Sequence, residues 1–250
     1  MPSKERLAQQ KLLQQFAAQY KAHADTRKTI NILGISCSTI NKDDGTPRMP
    51  SSEKVLQDAL DYASGTYDVV DTKLVKLRDI SFEHCEANYS IKGDYCTRPC
   101  WISQRKKEDE LLGVYNLLVD RADVIIIATP IRRWAPASLY FKFIERLNCL
   151  ENQKEVYDVD LLGQQQMGFV IVWAQDGVQA CLGQMMAQCA QMGFGFAKHP
   201  YVGYTSGNYT NDAMEKAVAQ MKKDSDVIVT QYKEMIDNQV KFVKSLKHTI

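Results

Sequence analysis

Serine side chains gather in the segment that follows the first apolar run of this 250-residue chain. Ser36 and Ser38 stand at its start, and Ser51 and Ser52 stand at its end, where a helical pattern begins. Hydroxyls and free backbone amides at a helix N-terminus form an anion site, usually for phosphate. The segment lacks the glycines of a P-loop or a dinucleotide fingerprint, so it would suit a mononucleotide. The alternative is that Ser51 or Ser52 is only an N-cap.

A second segment whose residues could bind a ligand reads Pro130-Ile-Arg-Arg-Trp-Ala-Pro136. Its prolines fix the loop shape with little entropy to lose. An aromatic ring and backbone amides can line a flat heterocycle, and Arg132 or Arg133 could meet a phosphate or a carboxylate. The alternative is a surface loop with solvated arginines.

A third segment, Gln175-Asp-Gly177, precedes another helical pattern. Free amides at this helix start could stabilise negative charge on a bound ring. Asp176 could equally be an N-cap and nothing more.

The elements that position these segments alternate between apolar runs and amphipathic helical patterns. The predicted strands are 29–35, 67–77, 122–129, 167–173 and 194–202, and the predicted helices are 51–64, 106–120, 137–147, 178–192 and a long one from 212. This alternation predicts one α/β domain with a parallel sheet covered by helices on both faces. Ligands of such sheets bind beyond the carboxyl ends of the strands, where all three segments would lie.

Helical patterns at both ends extend this core. Residues 1–28 form an N-terminal extension with an amphipathic helix over 3–24, residues 29–210 form the domain, and residues 211–250 form a C-terminal helix. We expect the C-terminal helix to pack on its own domain or on a partner subunit. Both end helices are surplus to a minimal core and are candidates for an interface between subunits.

Charge and composition exclude several classes of protein. A net charge of +1 gives no electrostatic footprint for nucleic acid, and no apolar stretch approaches the length of a membrane span. Seven cysteines are too few for a disulfide scaffold of this size, and the N-terminus lacks the apolar core of a signal peptide. We therefore expect a cytoplasmic protein, with an organellar transit peptide over the basic residues 1–28 as the alternative.

Three blocks of sequence resemble the flavodoxin-like, NAD(P)H-dependent FMN oxidoreductases. They are Ile32-Leu-Gly-Ile-Ser-Cys-Ser38, Ala122-Asp-Val-Ile-Ile-Ile-Ala-Thr-Pro-Ile-Arg-Arg-Trp134 followed by Ser138, and Phe143-Ile-Glu-Arg146. The resemblance implies a flavodoxin-like, doubly wound sheet of five parallel strands in the order 2-1-3-4-5. It also implies subunits that pair into a homo-oligomer, either a dimer or a tetramer.

The resemblance also implies which residues would hold flavin mononucleotide (FMN). The family's loop that binds the FMN phosphate corresponds to Ser36, Ser38, Ser51 and Ser52. The loop that lines the flavin ring corresponds to Thr129, Pro130, Ile131, Arg132 and Trp134. The third loop of the site corresponds to Gln175, Asp176 and Gly177. The arginine that usually follows the first loop serine in the family is absent, since Thr39 follows Ser38.

The activity implied is electron transfer from NAD(P)H through FMN to a small acceptor, such as a quinone, a flavin, an azo dye or a nitroaromatic. The cofactor supplies the chemistry, so no catalytic acid or base is predicted. One alternative is an electron carrier of the flavodoxin or iron–sulfur flavoprotein type. Another is a hydrolase or binding module without flavin, although no nucleophile elbow is present.

The cysteines raise one further question of chemistry. Some relatives carry an iron–sulfur cluster where this chain has Cys85, Cys96 and Cys100. The Cys-x2-Cys steps typical of such clusters are missing, and His84 is the only nearby fourth ligand. We therefore predict structural thiols and no metal, with a cluster or zinc as alternatives. Cys37, in the serine loop, is expected to be partly exposed, with a lowered pKa and sensitivity to oxidation.

Overall fold

A parallel sheet forms the centre of the computed structural model, which describes residues 28–40, 51–91, 93, 96–163, 165–173, 176–205 and 213–247. Its strands are β1 (Ile30–Ser36), β2 (Val70–Lys76), β3 (Val124–Arg132), β4 (Ala135–Pro136), β5 (Gln166–Trp173) and β6 (Tyr201–Thr205). The parallel strands are ordered β2-β1-β3-β5-β6, while β4 pairs antiparallel with β3. The predicted helix at 3–24 lies outside the described residues.

The helices are α1 (Ser51–Thr66), α2 (Trp101–Arg105), α3 (Leu111–Asp120), α4 (Ser138–Arg146), α5 (Asn148–Tyr157), α6 (Val178–Gln191), α7 (Ala213–Lys223) and α8 (Ser225–Leu246). Short 3-10 turns span Leu77–Asp79 and Asn88–Ser90. Helices α2 and α5 were not expected from the sequence. The predicted long final helix is two helices that meet at Asp224. Within the described residues, no helix combines the length and apolarity needed to cross a membrane.

The strand count is the main correction to the predicted fold. Without β4, the five parallel strands follow the order implied by the resemblance, but the prediction of only five strands was wrong because β4 pairs with β3. The predicted last strand, 194–202, was also misplaced. His199 adopts a left-handed φ of 51° ahead of Pro200, so the extended run begins only at Tyr201.

Both faces of the sheet are covered, which explains the unbroken apolar run in β3. Ile125 and Ile127 face a core built with α3 to α6, while Val124 and Ile126 face a second core built with α1 and α8. Because side chains alternate across a strand, a strand buried on both sides must be apolar at successive positions. Gly34 lets α1 approach closely, since a Cβ there would lie 2.7 Å from Leu60 Cδ1.

A buried ion pair fixes the end of α8 to the start of the sheet. Lys247 Nζ lies 2.7 Å from Asp123 Oδ1, and both side chains are less than a tenth exposed. Lys247 also donates to the Thr29 carbonyl at 3.1 Å, and the Asn31 amide donates to Asp123 Oδ2 at 2.8 Å. The pair therefore joins α8, β1 and the loop before β3.

We expect Lys247→Ala to lower the free energy of unfolding by about 3 kcal/mol, because it removes a buried cation that pairs with Asp123. Urea unfolding followed by circular dichroism measures the change. Lys241→Ala, at an exposed position of the same helix, is the matched control. Equal stability of the two variants would show that the pair contributes nothing.

Candidate functional site

The three polar segments meet at one edge of the sheet because the strands before them are parallel. Ser36, at the end of β1, is in register with Lys76 of β2 and Ala128 of β3. Pro130 of β3 is in register with Val172 of β5. The carboxyl ends of four strands therefore share one edge, which is where ligands bind in sheets of this kind.

The serines of the first segment have different surroundings. Ser36 is fully buried and its hydroxyl donates to Glu53 Oε2 at 2.8 Å. The Ser38 amide donates to Ser36 Oγ at 3.5 Å, and Ser38 Oγ accepts from the Ile40 amide at 3.4 Å. Ser36 and Ser38 thus lie together, but the hydroxyl of Ser36 is committed to Glu53. Residues 41–50 lie outside the described part.

Ser52 differs from these two serines because none of the described residues bonds to its hydroxyl. Helix α1 begins at Ser51, and Ser52 is 2% exposed with no hydrogen bond to its Oγ from any residue that the structure describes. Leaving a buried hydroxyl unpaired costs about 1–3 kcal/mol. A ligand that accepts a hydrogen bond at the start of α1 would remove this cost, as a phosphate would. Ser52 makes no capping bond, so the N-cap alternative does not describe it.

Glu53 is the residue of this site that sequence reasoning missed. It is fully buried in the first turn of α1, where Arg78 donates from both terminal nitrogens, with Nη2 2.9 Å from Oε1. Lys76 Nζ lies 3.2 Å from Oε1. Burial acts to raise the pKa of Glu53, but the hydrogen bonds from Arg78 and Ser36 and the charge of Arg78 outweigh it and hold the pKa at about 2.

The charged groups around Glu53 are balanced. Lys76 and Arg78 face the Glu53 carboxylate at the N-terminus of α1, and Arg78 Nε also lies 3.6 Å from Oδ1 of the exposed Asp79. These cations come from the end of β2, although the resemblance would place an arginine directly after the first loop serine. The sequence signal for them is the pair of basic residues on either side of Leu77.

The second segment is a β-hairpin. Arg132 of β3 pairs with Ala135 of β4, which leaves Arg133 and Trp134 as a two-residue turn. Their φ angles are 51° and 60°, the left-handed values that a tight hairpin turn requires at both central positions. Such angles cost non-glycine residues about 1 kcal/mol or more each. The turn projects Trp134 outward, 62% exposed.

Thr129, Pro130 and Ile131 are buried and hold this hairpin in place. The Thr129 hydroxyl accepts from the Ala137 amide at 3.0 Å and donates to the Pro130 carbonyl at 3.0 Å. That hydroxyl is therefore committed to closing the loop. That these residues line a flavin ring stays a prediction; in the structure the Thr129 hydroxyl bonds within the loop that carries Trp134.

Arg132 provides a cation beside an aromatic ring. Its Cζ lies 4.7 Å from the centroid of the Trp173 ring, and burial lowers its pKa from the ordinary value. No acidic residue in the described ranges forms an ion pair with Arg132. An anionic ligand could therefore pair with it without displacing a carboxylate.

The third segment contacts the second through Gly177. Gly177 is the N-cap of α6 with φ 110°, and a Cβ on it would lie 2.8 Å from Trp134 Cδ1. Asp176 Oδ1 accepts from the Gly177 amide at 2.7 Å. Asp176 is therefore not the N-cap, and the Gly177 amide is already paired. Gln175 lies outside the described residues.

The expectation for Cys37 was wrong, and the expectation of no metal at the other cysteines stays a prediction. Cys37 was expected to be exposed and acidic, and that prediction was wrong: it is fully buried, and burial raises its pKa. Its amide donates to the Ala128 carbonyl at 2.8 Å, so the chain continues the β1 ladder past Ser36 and carries Cys37 into the core. In the part of the chain described, no group of three or more His, Cys, Asp or Glu residues is arranged to hold a metal ion.

Comparison with known proteins supports the fold. No protein-family model and no curated protein matches the chain. Among solved structures, RosB with bound 8-demethyl-8-formylriboflavin-5'-phosphate is 16% identical with a TM-score of 0.62, over 88% of this chain and 81% of its own. The azoreductase AzrA is 10% identical with a TM-score of 0.50, over 79% and 98%.

A further match is an FMN-dependent NADH-azoreductase from Bacillus anthracis in complex with FMN. It is 10% identical with a TM-score of 0.51, over 86% of this chain and 99% of its own. At these identities the similarity defines the fold, which is the flavodoxin-like α/β fold that the resemblance implied.

We expect Glu53→Gln to lower the free energy of unfolding at neutral pH by about 3 kcal/mol, because Arg78 and Lys76 lose their counter-charge. The folded-state pKa of Glu53, about 2, lies below the ordinary 4.5. Its stabilisation is therefore present above pH 4.5 and is lost as the pH falls towards 2. The stability gap between wild type and variant should close over that range in urea titrations.

Glu108→Gln, at an exposed position, is the control for this comparison. A difference in the free energy of unfolding between wild type and Glu53→Gln that stays constant down to about pH 2 would contradict the lowered pKa of Glu53.

We expect Gly177→Ala to destabilise the protein by about 1–2 kcal/mol, because the new Cβ meets Trp134 and because φ is positive. Gly183→Ala, in the same helix with open space around the Cα, should instead be neutral or stabilising by up to about 1 kcal/mol. Thermal unfolding compares the two. If the two variants were equally stable, Gly177 would not lie against Trp134 of the β3–β4 hairpin as described.

Proposed function

We propose that this chain is an FMN-dependent NAD(P)H oxidoreductase that passes electrons to a small acceptor such as a quinone, a free flavin, an azo dye or a nitroaromatic. The observation that carries the proposal is the buried hydroxyl of Ser52 at the start of α1, which has no partner in the described part of the chain and lies beside the two cations at the end of β2. A flavin phosphate would supply the missing hydrogen-bond acceptor and would be favoured by the helix dipole at the start of α1.

Each segment of the site has a role in holding the cofactor. Ser52 and the free amides of the first turn of α1 would bind the phosphate, and Lys76 and Arg78 would contribute positive potential. Trp134 would flank the isoalloxazine ring, because it projects from the hairpin towards the start of α6. FMN supplies the redox chemistry when bound, by taking up a hydride and giving up electrons.

In this scheme the protein residues bind and orient the ligands. Arg132 would attract the phosphates of NAD(P)H or an anionic acceptor, since it has no carboxylate partner in the described part. The strained turn at Arg133 and Trp134 would keep the indole in one orientation. The scheme requires no proton transfer by a side chain, which agrees with the absence of a catalytic acid or base among our predictions.

The names of similar structures support this function. Two are azoreductases, one of them in complex with FMN, and a third was solved with a flavin phosphate derivative. The near-neutral charge favours an enzyme over an electron carrier, because carriers of the flavodoxin type usually have strongly acidic surfaces. We further propose a reducing, cytoplasmic setting, supported by seven cysteines that are all free thiols.

Titration with FMN and with riboflavin tests the cofactor and its placement together. We expect the wild type to bind FMN with a micromolar or lower Kd, and Ser52→Ala to weaken FMN binding roughly tenfold with little effect on riboflavin. Trp134→Ala should weaken both ligands, because it acts on the ring. Ser64→Ala, at the exposed far end of α1, is the matched control.

Failure of the wild type to bind either ligand would overturn the flavin proposal. If Ser52→Ala weakened the binding of FMN and of riboflavin equally, the placement of the phosphate would be overturned. Stopped-flow mixing of the FMN-loaded protein with NADH or NADPH then separates an enzyme from a carrier. In an enzyme the flavin absorbance falls rapidly as NAD(P)H reduces it, and in a carrier it does not.

A further inference from the structure

A groove runs along the outer edge of β6, which is the last strand in the order of the described sheet. One wall comes from the residues around the start of α6, Asp176 and Val178, and the other comes from Gln231 and Glu234 of α8. We call it the β6 groove. Its volume is about 350 Å³, within the range of about 300–1,000 Å³ that is typical of small-molecule sites.

Tyr201 provides an aromatic surface inside the β6 groove. Tyr201 and Gly203 point to the same face of the sheet, because side chains alternate along a strand. A Cβ on Gly203 would lie 3.1 Å from Tyr201 Cε2 and 2.7 Å from Val178 Cγ1. The glycine therefore lets the tyrosine ring lie directly against the strand. Tyr201 is 40% exposed, so a flat base can stack on the ring that the strand positions.

The wall formed by α8 carries hydrogen-bonding groups whose positions are fixed. Gln231 Oε1 accepts from the Gly203 amide at 2.9 Å, which leaves the amide nitrogen of Gln231 to donate. His199 Nε2 lies 3.3 Å from Glu234 Oε1. A carboxylate accepts several hydrogen bonds, so Glu234 can also accept from a hydroxyl of a ligand.

The β6 groove adjoins the candidate flavin site. Thr205, which lines the groove at the carboxyl end of β6, is in register with Trp173 at the end of β5. Neighbouring strands lie about 4.8 Å apart, and Arg132 stacks on the Trp173 ring. Asp176, which also lines the groove, directly precedes Gly177 of the third segment. A ligand that lies along the groove therefore extends from β6 towards Arg132 and the proposed flavin ring.

The charges of the β6 groove discriminate between nucleotides. Asp176 and Glu234 supply two carboxylates, His199 pairs with one of them, and neither Lys nor Arg is among the described residues that line the groove. In dinucleotide sites a carboxylate accepts from the ribose 2′-hydroxyl of NAD, whereas an arginine accommodates the 2′-phosphate of NADP. A 2′-phosphate beside Glu234 would meet a like charge.

We propose that the β6 groove binds the adenosine half of NADH and makes the protein prefer NADH to NADPH. The adenine stacks on Tyr201, the ribose hydroxyls donate to Glu234, and the pyrophosphate pairs with Arg132. The nicotinamide then lies towards the flavin ring, so the proposal rests on the oxidoreductase function proposed above. It adds to that function the choice of electron donor and the residues that make this choice.

Calorimetry with ADP-ribose measures binding in the groove without any redox step. We expect ADP-ribose to bind the full chain, and its 2′-phosphorylated form to bind about tenfold more weakly. Absence of ADP-ribose binding would overturn the proposal, whether or not the protein reduces flavin with NADH. Equal affinity for the two ligands would overturn the preference for NADH.

Stopped-flow reduction of the FMN-loaded full chain by three donors separates this proposal from the oxidoreductase function. The donors are NADH, NADPH and reduced nicotinamide mononucleotide, which lacks the adenosine half. We expect NADH to react about tenfold faster than either of the others at low donor concentration. If one of the others reacted as fast as NADH, the groove proposal would be overturned and the oxidoreductase function would stand. If none of the three reduced the flavin, the oxidoreductase function would be overturned, and calorimetry alone would decide the groove.

Variants assign the roles of the groove residues. Glu234→Gln should lower the preference for NADH over NADPH about threefold, because it removes a charge that repels the 2′-phosphate. Tyr201→Ala should slow the reaction with NADH about tenfold and leave the reaction with reduced nicotinamide mononucleotide unchanged. Asp226→Asn, which removes an exposed carboxylate of α8 outside the groove, is the matched control. An unchanged preference in Glu234→Gln, or an equal loss for both donors in Tyr201→Ala, would contradict these roles.

Discussion

The buried carboxylate of Glu53 is the interaction on which the candidate site depends. It joins the first turn of α1 to Ser36 at the end of β1 and to Lys76 and Arg78 at the end of β2. A carboxylate removed from water costs several kcal/mol unless charge and hydrogen bonds compensate it, and here these three side chains do so. The start of α1 is thereby held at the sheet edge.

The rest of the site is organised by the register of the sheet. Parallel pairing of β1, β3 and β5 sets their ends side by side, and the β3–β4 hairpin carries Trp134 across to Gly177 at the start of α6. The hairpin needs left-handed angles at two residues that are not glycine. Strain of this kind persists where the surrounding structure over-determines a loop, which is common at functional sites.

Much of this architecture could be predicted from the sequence because it depends on local pattern. The apolar run over 122–129 indicated a strand buried on both faces, and alternation with helices indicated the parallel sheet. β4 was missed because two residues give no periodic signal. The last strand was misplaced because the left-handed turn at His199 depends on tertiary context.

The parts of the site that escaped prediction involve long-range pairing. A glutamate in the first turn of a helix is ordinary, because the helix dipole favours it there, so nothing in the pattern indicated that Glu53 is buried against Arg78. The expectation that Ser36 and Thr129 bind the cofactor stays a prediction, and nothing in the pattern indicated that their hydroxyls bond to Glu53 and to the loop backbone. Cys37 was misjudged because the strand continues past Ser36.

The visible absorbance of protein purified without added cofactor shows whether the three segments hold a flavin. We expect a flavin spectrum that is retained through gel filtration and released on denaturation as FMN, identified by mass spectrometry. Protein that is colourless as purified and remains so after incubation with FMN and gel filtration would show that they do not.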